Sequence, residues 1–137
     1  MAKQAFKLRH IALSVADVEQ AQKFFEEAFG MTKVGNAQRG VYMTDGTINV
    51  ALLARGGKAP EVNAPEPFYG PVHFGMWVDD LAQAEEQVKK AGAVHFQGRP
   101  PDTPNSFYEV KYRDPQGMVF DITASGWRGA VKNVKPA

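Results

Sequence analysis

The sequence predicts an α+β protein in which two βαβββ modules form one cupped mixed sheet with the helices on its outer face. Three observations support this. The segment HIALSVADVEQAQKFFEEAFG, starting at His10, superimposes without gaps on HFGMWVDDLAQAEEQVKKAGA, starting at His73, with identities at His10/His73, Val15/Val78, Asp17/Asp80, Gln20/Gln83, Ala21/Ala84 and Ala28/Ala91. Similarity at a fixed offset marks a repeated supersecondary unit. Each copy also changes from an alternating pattern to a helical one, and a chain of 137 residues, 44% hydrophobic, is long enough for one core but short for two. The modules should therefore share that core as a single domain spanning 1–137, with module one at about 6–54, a linker at 55–70, module two at 71–124 and a tail at 125–137.

The opening run of each copy reads as a strand. Ile11, Leu13 and Val15 point one way, as do Phe74, Met76 and Val78, while His10, Ala12 and Ser14, or His73, Gly75 and Trp77, point the other. The apolar face needs a cover, and a helix follows at once. Asp17 and Asp80 are suitable N-caps, each with a Gln three residues on in the manner of a capping box. Val18, Ala21, Phe24, Phe25 and Ala28, and then Leu81, Ala84, Val88 and Ala91, recur at helical spacing, and Gly30 and Gly92 are placed to end the helices. Strands are expected at 31–36, 40–44 and 47–53, and again at 93–98, 106–113 and 118–124, with turns at Asp45-Gly46 and at Asp114 to Gly117. The linker ARGGKAPEVNAPEPFYG is rich in Gly, Pro and Ala, and the tail reads as irregular and basic, anchored by Trp127.

Composition excludes several classes of function. The formal charge is +1 and the basic residues are scattered, so nucleic acid is not an expected partner. The absence of cysteine removes disulfides, thiolate metal sites and Cys nucleophiles. No stretch of eighteen apolar residues and no secretory leader is evident, so no membrane partner and a cytoplasmic location are expected.

His10 and His73 occupy equivalent positions, each opposite the helix-packing face of its strand. If the two strands lie side by side about a pseudo-twofold axis, both imidazoles converge on one point, where two ligands of one ion must be. A third ligand is expected from the hairpin FYEVKYRDPQGMVFDIT. Arg113 opposite Met118 would make Tyr112 face Val119, Val110 face Asp121 and Tyr108 face Thr123. Phe120 and Ile122 suit the helix-covered side, which leaves the Asp121 carboxylate in the cavity. Glu109 is the rival carboxylate and would enter the cavity if the register slipped by one residue. Tyr108 and Tyr112 are the candidate catalytic phenols, as proton shuttles or hydrogen-bond donors. Asn49 and Trp77 are the candidate substrate contacts, Asn49 sharing the cavity face with Ala51. His95 and Arg99 are expected to be solvated, and Tyr42, Phe68 and Tyr69 to bound the mouth of the cup.

HIALSV with its helix, HFGMWVDDL with its helix, and YRDPQGMVFDIT together resemble the vicinal oxygen chelate superfamily, which includes glyoxalase I, methylmalonyl-CoA epimerase, extradiol dioxygenases and antibiotic resistance proteins. The resemblance covers residues 7–124. It implies that His10, His73 and Asp121 hold one divalent metal ion. Asp121 stands where the family usually has Glu, and no carboxylate occupies the strand TINVALL, where relatives place a fourth ligand; Asn49 is the polar residue there. Two His and one carboxylate with open positions favour Fe(II) or Mn(II), with Zn(II) or Ni(II) as alternatives. The implied function is a glyoxalase-like lyase or isomerase acting on a small substrate that chelates the metal through adjacent oxygens. An Fe(II) ring-cleavage dioxygenase and a protein that sequesters an antibiotic are the alternatives. The resemblance also implies a homodimer.

Overall fold

The computed structural model describes residues 3–99 and 107–136. Its elements run in chain order: β1 (Lys7–Ser14), α1 (Val18–Phe29), β2 (Thr32–Ala37), β3 (Gly40–Thr44), β4 (Asn49–Leu53), β5 (Gly70–Trp77), α2 (Leu81–Lys90), β6 (Val94–Gln97), β7 (Val110–Arg113) and β8 (Val119–Thr123). This is βαβββ twice. All eight strands join one sheet in the order β2-β3-β4-β1-β5-β8-β7-β6. The pairings β1–β4 and β5–β8 are parallel, and the other five are antiparallel. The sheet is thus symmetric about the central antiparallel seam between β1 and β5.

Local chemistry accounts for each helix. The Asp17 carboxylate accepts from Gln20 N and that of Asp80 from Gln83 N, satisfying first-turn donors. The second cap is completed by Gln4 rather than by a reciprocal Gln83, because Gln4 Oε1 accepts from both Asp79 N and Asp80 N. Gly30, at φ 66°, ends α1 in the left-handed conformation that an αL cap requires. Helix α1 covers Val41, Met43, Val50 and Leu52, and α2 covers Val78, Val110, Tyr112, Phe120 and Ile122. The opposite face carries a third apolar group, Ala12, Ala51, Ala59 and Val72, roofed by Val62 and Phe68 from the segment between the modules.

The β7–β8 hairpin departs from expectation. Asp114 accepts from Gln116 N and Met118 N, and Asp114 N donates to Met118 O, so five residues rather than four form the turn. Arg113 therefore pairs with Val119, and the register becomes Lys111↔Asp121 and Tyr112↔Phe120. With a side-chain period of two, this one-residue change sends Tyr112 to the helix side and brings Lys111 and Glu109 to the cavity side. The strand also begins at Val110, and residue 106 of the expected strand lies outside the described residues.

The tail is fastened across the sheet rather than trailing from it. Val131 N donates to Thr47 O, Thr44 Oγ1 to Gly129 O, and Arg9 Nε to Val131 O at 2.6 Å. Among the described residues, no helix is long and apolar enough to cross a membrane.

Candidate metal centre

His10 pairs with Gly75 across the seam, and Ala12 pairs with His73. The two histidines are thus diagonal neighbours related by the pseudo-twofold, and their Nε2 atoms lie 3.3 Å apart. On the other side of Gly75, β8 places Asp121 as its parallel partner. Gly75 therefore stands between His10 and Asp121 with no side chain to separate them. Asp121 Oδ2 lies 3.5 Å from His10 Nε2 and 3.2 Å from His73 Nε2.

The protonation pattern follows from the surrounding bonds. Asn49 Nδ2 donates to Arg128 O, which leaves Asn49 Oδ1 to accept from His10 Nδ1 at 2.7 Å. His73 Nδ1 donates to Glu61 Oε2 at 3.0 Å. Both imidazoles therefore carry a proton on Nδ1 and aim Nε2 at the same point. The Asp121 carboxylate accepts from Lys111 Nζ through Oδ1 at 2.7 Å, while Oδ2 is buried without a hydrogen-bond partner among the described residues. Three lone pairs converge with no donor between them. A buried acceptor left in this way calls for an ion or a proton, and spacings of 3.2–3.5 Å are those of donors sharing one cation at about 2.0–2.2 Å. The residues fit a divalent metal.

The electrostatics set the two histidines apart. Burial lowers His10 to about 4, with Asp121 only partly opposing it, so its ring is neutral and free to coordinate near pH 7. Burial also lowers His73, but the neighbouring Asp121 and Glu61 carboxylates outweigh it and hold this imidazole up, so a metal ion would displace a proton there. Burial pushes the Asp121 carboxyl up. Glu109 is raised by burial, yet its contacts with Asp121 and the Lys111 ammonium bring it down to about 2. Both Glu109 oxygens are engaged, Oε1 by Trp127 Nε1 at 3.1 Å and Oε2 by Lys111 Nζ at 2.9 Å. His10, His73, Glu109 and Asp121 together offer ligand atoms within 4.8 Å of one another. A cavity of about 360 Å³ opens above them, walled by Ala12, Tyr42, Leu53, Arg55 and Phe96.

The other expected site residues lie elsewhere. Tyr112 is a correction: it is buried against α2, and its hydroxyl donates to Glu85 at 2.6 Å on the face away from the cavity. Tyr108 packs beside the same cluster and its hydroxyl accepts from Ala124 N, so it lines a neighbouring cavity of about 380 Å³ rather than flanking Asp121. Trp77 lies under Gly126, donating from Nε1 to Ala124 O, and is not among the walls of the cavity over the histidines. Asn49 is fully buried behind His10, with Oδ1 on His10 Nδ1 and Nδ2 on Arg128 O, and it borders the neighbouring cavity rather than the one over the histidines. Tyr42 does border the cavity, Phe68 roofs its floor, and Tyr69 is exposed. His95 is exposed and bonds Gly98 O, and Arg99 is exposed.

Three residues of the centre escaped the sequence reading. Lys111 was hidden by the hairpin register. Glu61 lies in the linker, where no periodicity indicates a side chain's direction. Trp127, in the tail, stacks on His10 with ring centroids 4.8 Å apart and planes 8° from parallel.

Solved structures share this fold. A Mn(II)-bound glyoxalase from Novosphingobium aromaticivorans aligns with TM-score 0.66 and 18% identity, over 96% of this chain and 43% of that one. Homoprotocatechuate 2,3-dioxygenase from B. fuscum aligns with TM-score 0.66 and 12% identity, over 91% of this chain and 34% of that one. Methylmalonyl-CoA epimerase from Streptomyces coelicolor gives TM-score 0.64 and 14% identity, over 88% and 96%. The chain thus spans less than half of the first two and nearly all of the third, and at these identities the likeness is one of fold. No curated protein matches the sequence closely enough to count as a relative. The sequence itself matches the family pattern over residues 7–122, and the chain belongs to the Glyoxalase/Bleomycin resistance protein/Dioxygenase superfamily.

Proposed function

We propose that this chain is a divalent-metal-dependent enzyme, glyoxalase-like and of lyase or isomerase type, acting on a small substrate that chelates the metal through adjacent oxygens. The observation that carries this reading is the meeting of His10 Nε2, His73 Nε2 and the unpartnered Asp121 Oδ2 at the floor of the cavity. When bound, the metal supplies Lewis acidity to the substrate oxygens. Glu109, beside the ligands and on the cavity wall, is the carboxylate placed to take a proton from a substrate carbon once Trp127 or Lys111 releases one of its oxygens. The C–H bond breaks toward its carboxylate, and the electron pair left behind spreads onto the neighbouring carbonyl oxygen. Returning that proton to the former carbonyl carbon, while the hydroxyl proton passes from one substrate oxygen to the other, completes an isomerisation. Lys111 bridges Glu109 and Asp121 and offsets their charge, and Tyr42, Leu53 and Phe96 wall the cavity.

A second reading, an Fe(II) ring-cleavage dioxygenase, draws on a specific observation. Asn49 is engaged by His10 and Arg128, and if Glu109 stays on Lys111 and Trp127 the donors left are two His and one carboxylate, a set suited to non-haem Fe(II). Metal analysis of protein purified without added metal, followed by aerobic and anaerobic assays on dicarbonyl and catechol panels, separates the two. Oxygen-dependent turnover with bound iron selects the dioxygenase. Failure to bind any divalent ion leaves a small-molecule sequestering protein. A homodimer is part of the same proposal, since Phe24 and Phe29 on α1 are 57% and 60% exposed and suit burial against a second copy; light scattering tests it.

A further inference from the structure

The pseudo-twofold makes His10 and His73 equivalent, yet their Nδ1–H groups meet different acceptors. His10 donates to a neutral amide on β4, and His73 donates to a carboxylate from the segment between the modules. That carboxylate is built in. Glu61 is 4% exposed, and Arg55 grips it with Nη1 to Oε2 at 3.1 Å and Nη2 to Oε1 at 3.0 Å. Its backbone is fixed from module two, where Arg113 donates to both Pro60 O and Glu61 O. Ser14 Oγ holds Phe68 O, and Glu66 accepts from Ala59 N, so the whole segment is fastened to the sheet.

A carboxylate accepting from an imidazole N–H fixes the ring and its tautomer, and it raises the donor strength of the far nitrogen. A neutral amide does this more weakly, because charge-assisted hydrogen bonds are about twice as strong as neutral ones. We propose that Glu61 is a positioning residue that makes His73 the stronger of the two imidazole donors, so that the inter-module segment is a working part of the metal centre. This rests on the metal reading above. Arg55 keeps the Glu61 carboxylate turned toward His73, whereas among the described residues the Nδ1 of His10 meets the Asn49 amide. Symmetry in the backbone is thereby broken in the electronics of the two ligands.

The test uses the full chain stripped of metal and titrated with Mn(II) and with Zn(II) by calorimetry. Because Glu61→Gln alone strands the Arg55 guanidinium, the double variant Arg55→Met/Glu61→Gln is measured beside it. Both should bind each ion about 10- to 100-fold more weakly than the unaltered chain, with the metal-free double variant retaining its circular dichroism. Affinity within twofold of the unaltered chain in both variants overturns the proposal while leaving the metal centre standing. An unaltered chain that binds neither ion overturns both. If the variants do not fold, the ¹⁵N-histidine spectrum of the Zn(II)-loaded unaltered chain decides. A His73 Nδ1 proton further downfield than that of His10 is expected, and the reverse order refutes the assignment.

Discussion

Gly75→Ala probes the closest packing in the centre. A Cβ at this position would stand 2.6 and 2.7 Å from Trp127 Cζ2 and Cη2 and 2.9 Å from His10 Cβ. Ordinary carbon contacts begin near 3.5 Å, so the methyl group needs roughly 0.8 Å that is not there. Strand β5 cannot retreat, being paired with β1 on one side and β8 on the other. His10 Cβ is set by the β1 backbone. The Trp127 ring must therefore slide, losing its stack on His10 and its 3.1 Å bond to Glu109. Overpacking of this kind costs about 1–3 kcal/mol, which for a chain of this size is a melting temperature lower by roughly 4 °C per kcal/mol. Metal affinity should fall as well, because the His10 ring loses one of its two restraints. Differential scanning calorimetry and a Mn(II) titration measure the two effects. Adding Trp127→Leu should return part of the lost stability, a coupling visible in a double-mutant cycle. A Gly75→Ala protein that melts and binds metal like the original would refute the claim that Trp127 is wedged against the sheet.

His73→Ala should abolish metal binding while the far-ultraviolet circular dichroism is kept; unchanged metal occupancy would show that the ligand set is wrong. Tyr112→Phe removes the hydroxyl that bonds Glu85 on the outer face, so stability should fall by about 1 kcal/mol, with metal affinity and turnover unchanged. Loss of turnover at constant stability would restore that phenol to the site. Glu61 is raised by burial, but its bonds to His73 and Arg55 lower it further, from 4.5 to about 2. A carboxylate depressed in the folded state stabilises it above the unfolded value, and this contribution is lost as pH falls from about 4.5 toward 2. Thermal melts of metal-free protein over that window should show a smaller loss for Arg55→Met/Glu61→Gln than for the unaltered chain.

The central seam of the fold was legible because it is written twice. His10 and His73 sit at the same place in two copies of one pattern, and that equivalence predicts both a shared face and a common focus. Asp121 was legible from its neighbours, since Phe120 and Ile122 belong under α2 and leave the carboxylate on the other side. Tyr112 was misread because the residues in a turn set the parity of the strand before it, and the Asp114 side chain enlarges this turn by one residue. The same shift concealed Lys111. Glu61 and Trp127 lie in segments without a repeating period, where direction depends on tertiary bonds to Arg113 and Glu109 that no local pattern records.

An ion bridging the seam between β1 and β5 would give the histidines a role in folding fidelity. If β1 slid past β5 by two residues, every side chain would keep its face and the apolar groups would remain covered, so burial alone discriminates poorly against that misalignment. The imidazoles would be carried about 7 Å along the strand, well beyond the span of two coordination bonds of about 2 Å each. An ion held between them would reject the slipped arrangement, acting as a proofreader of strand alignment before it takes part in any reaction.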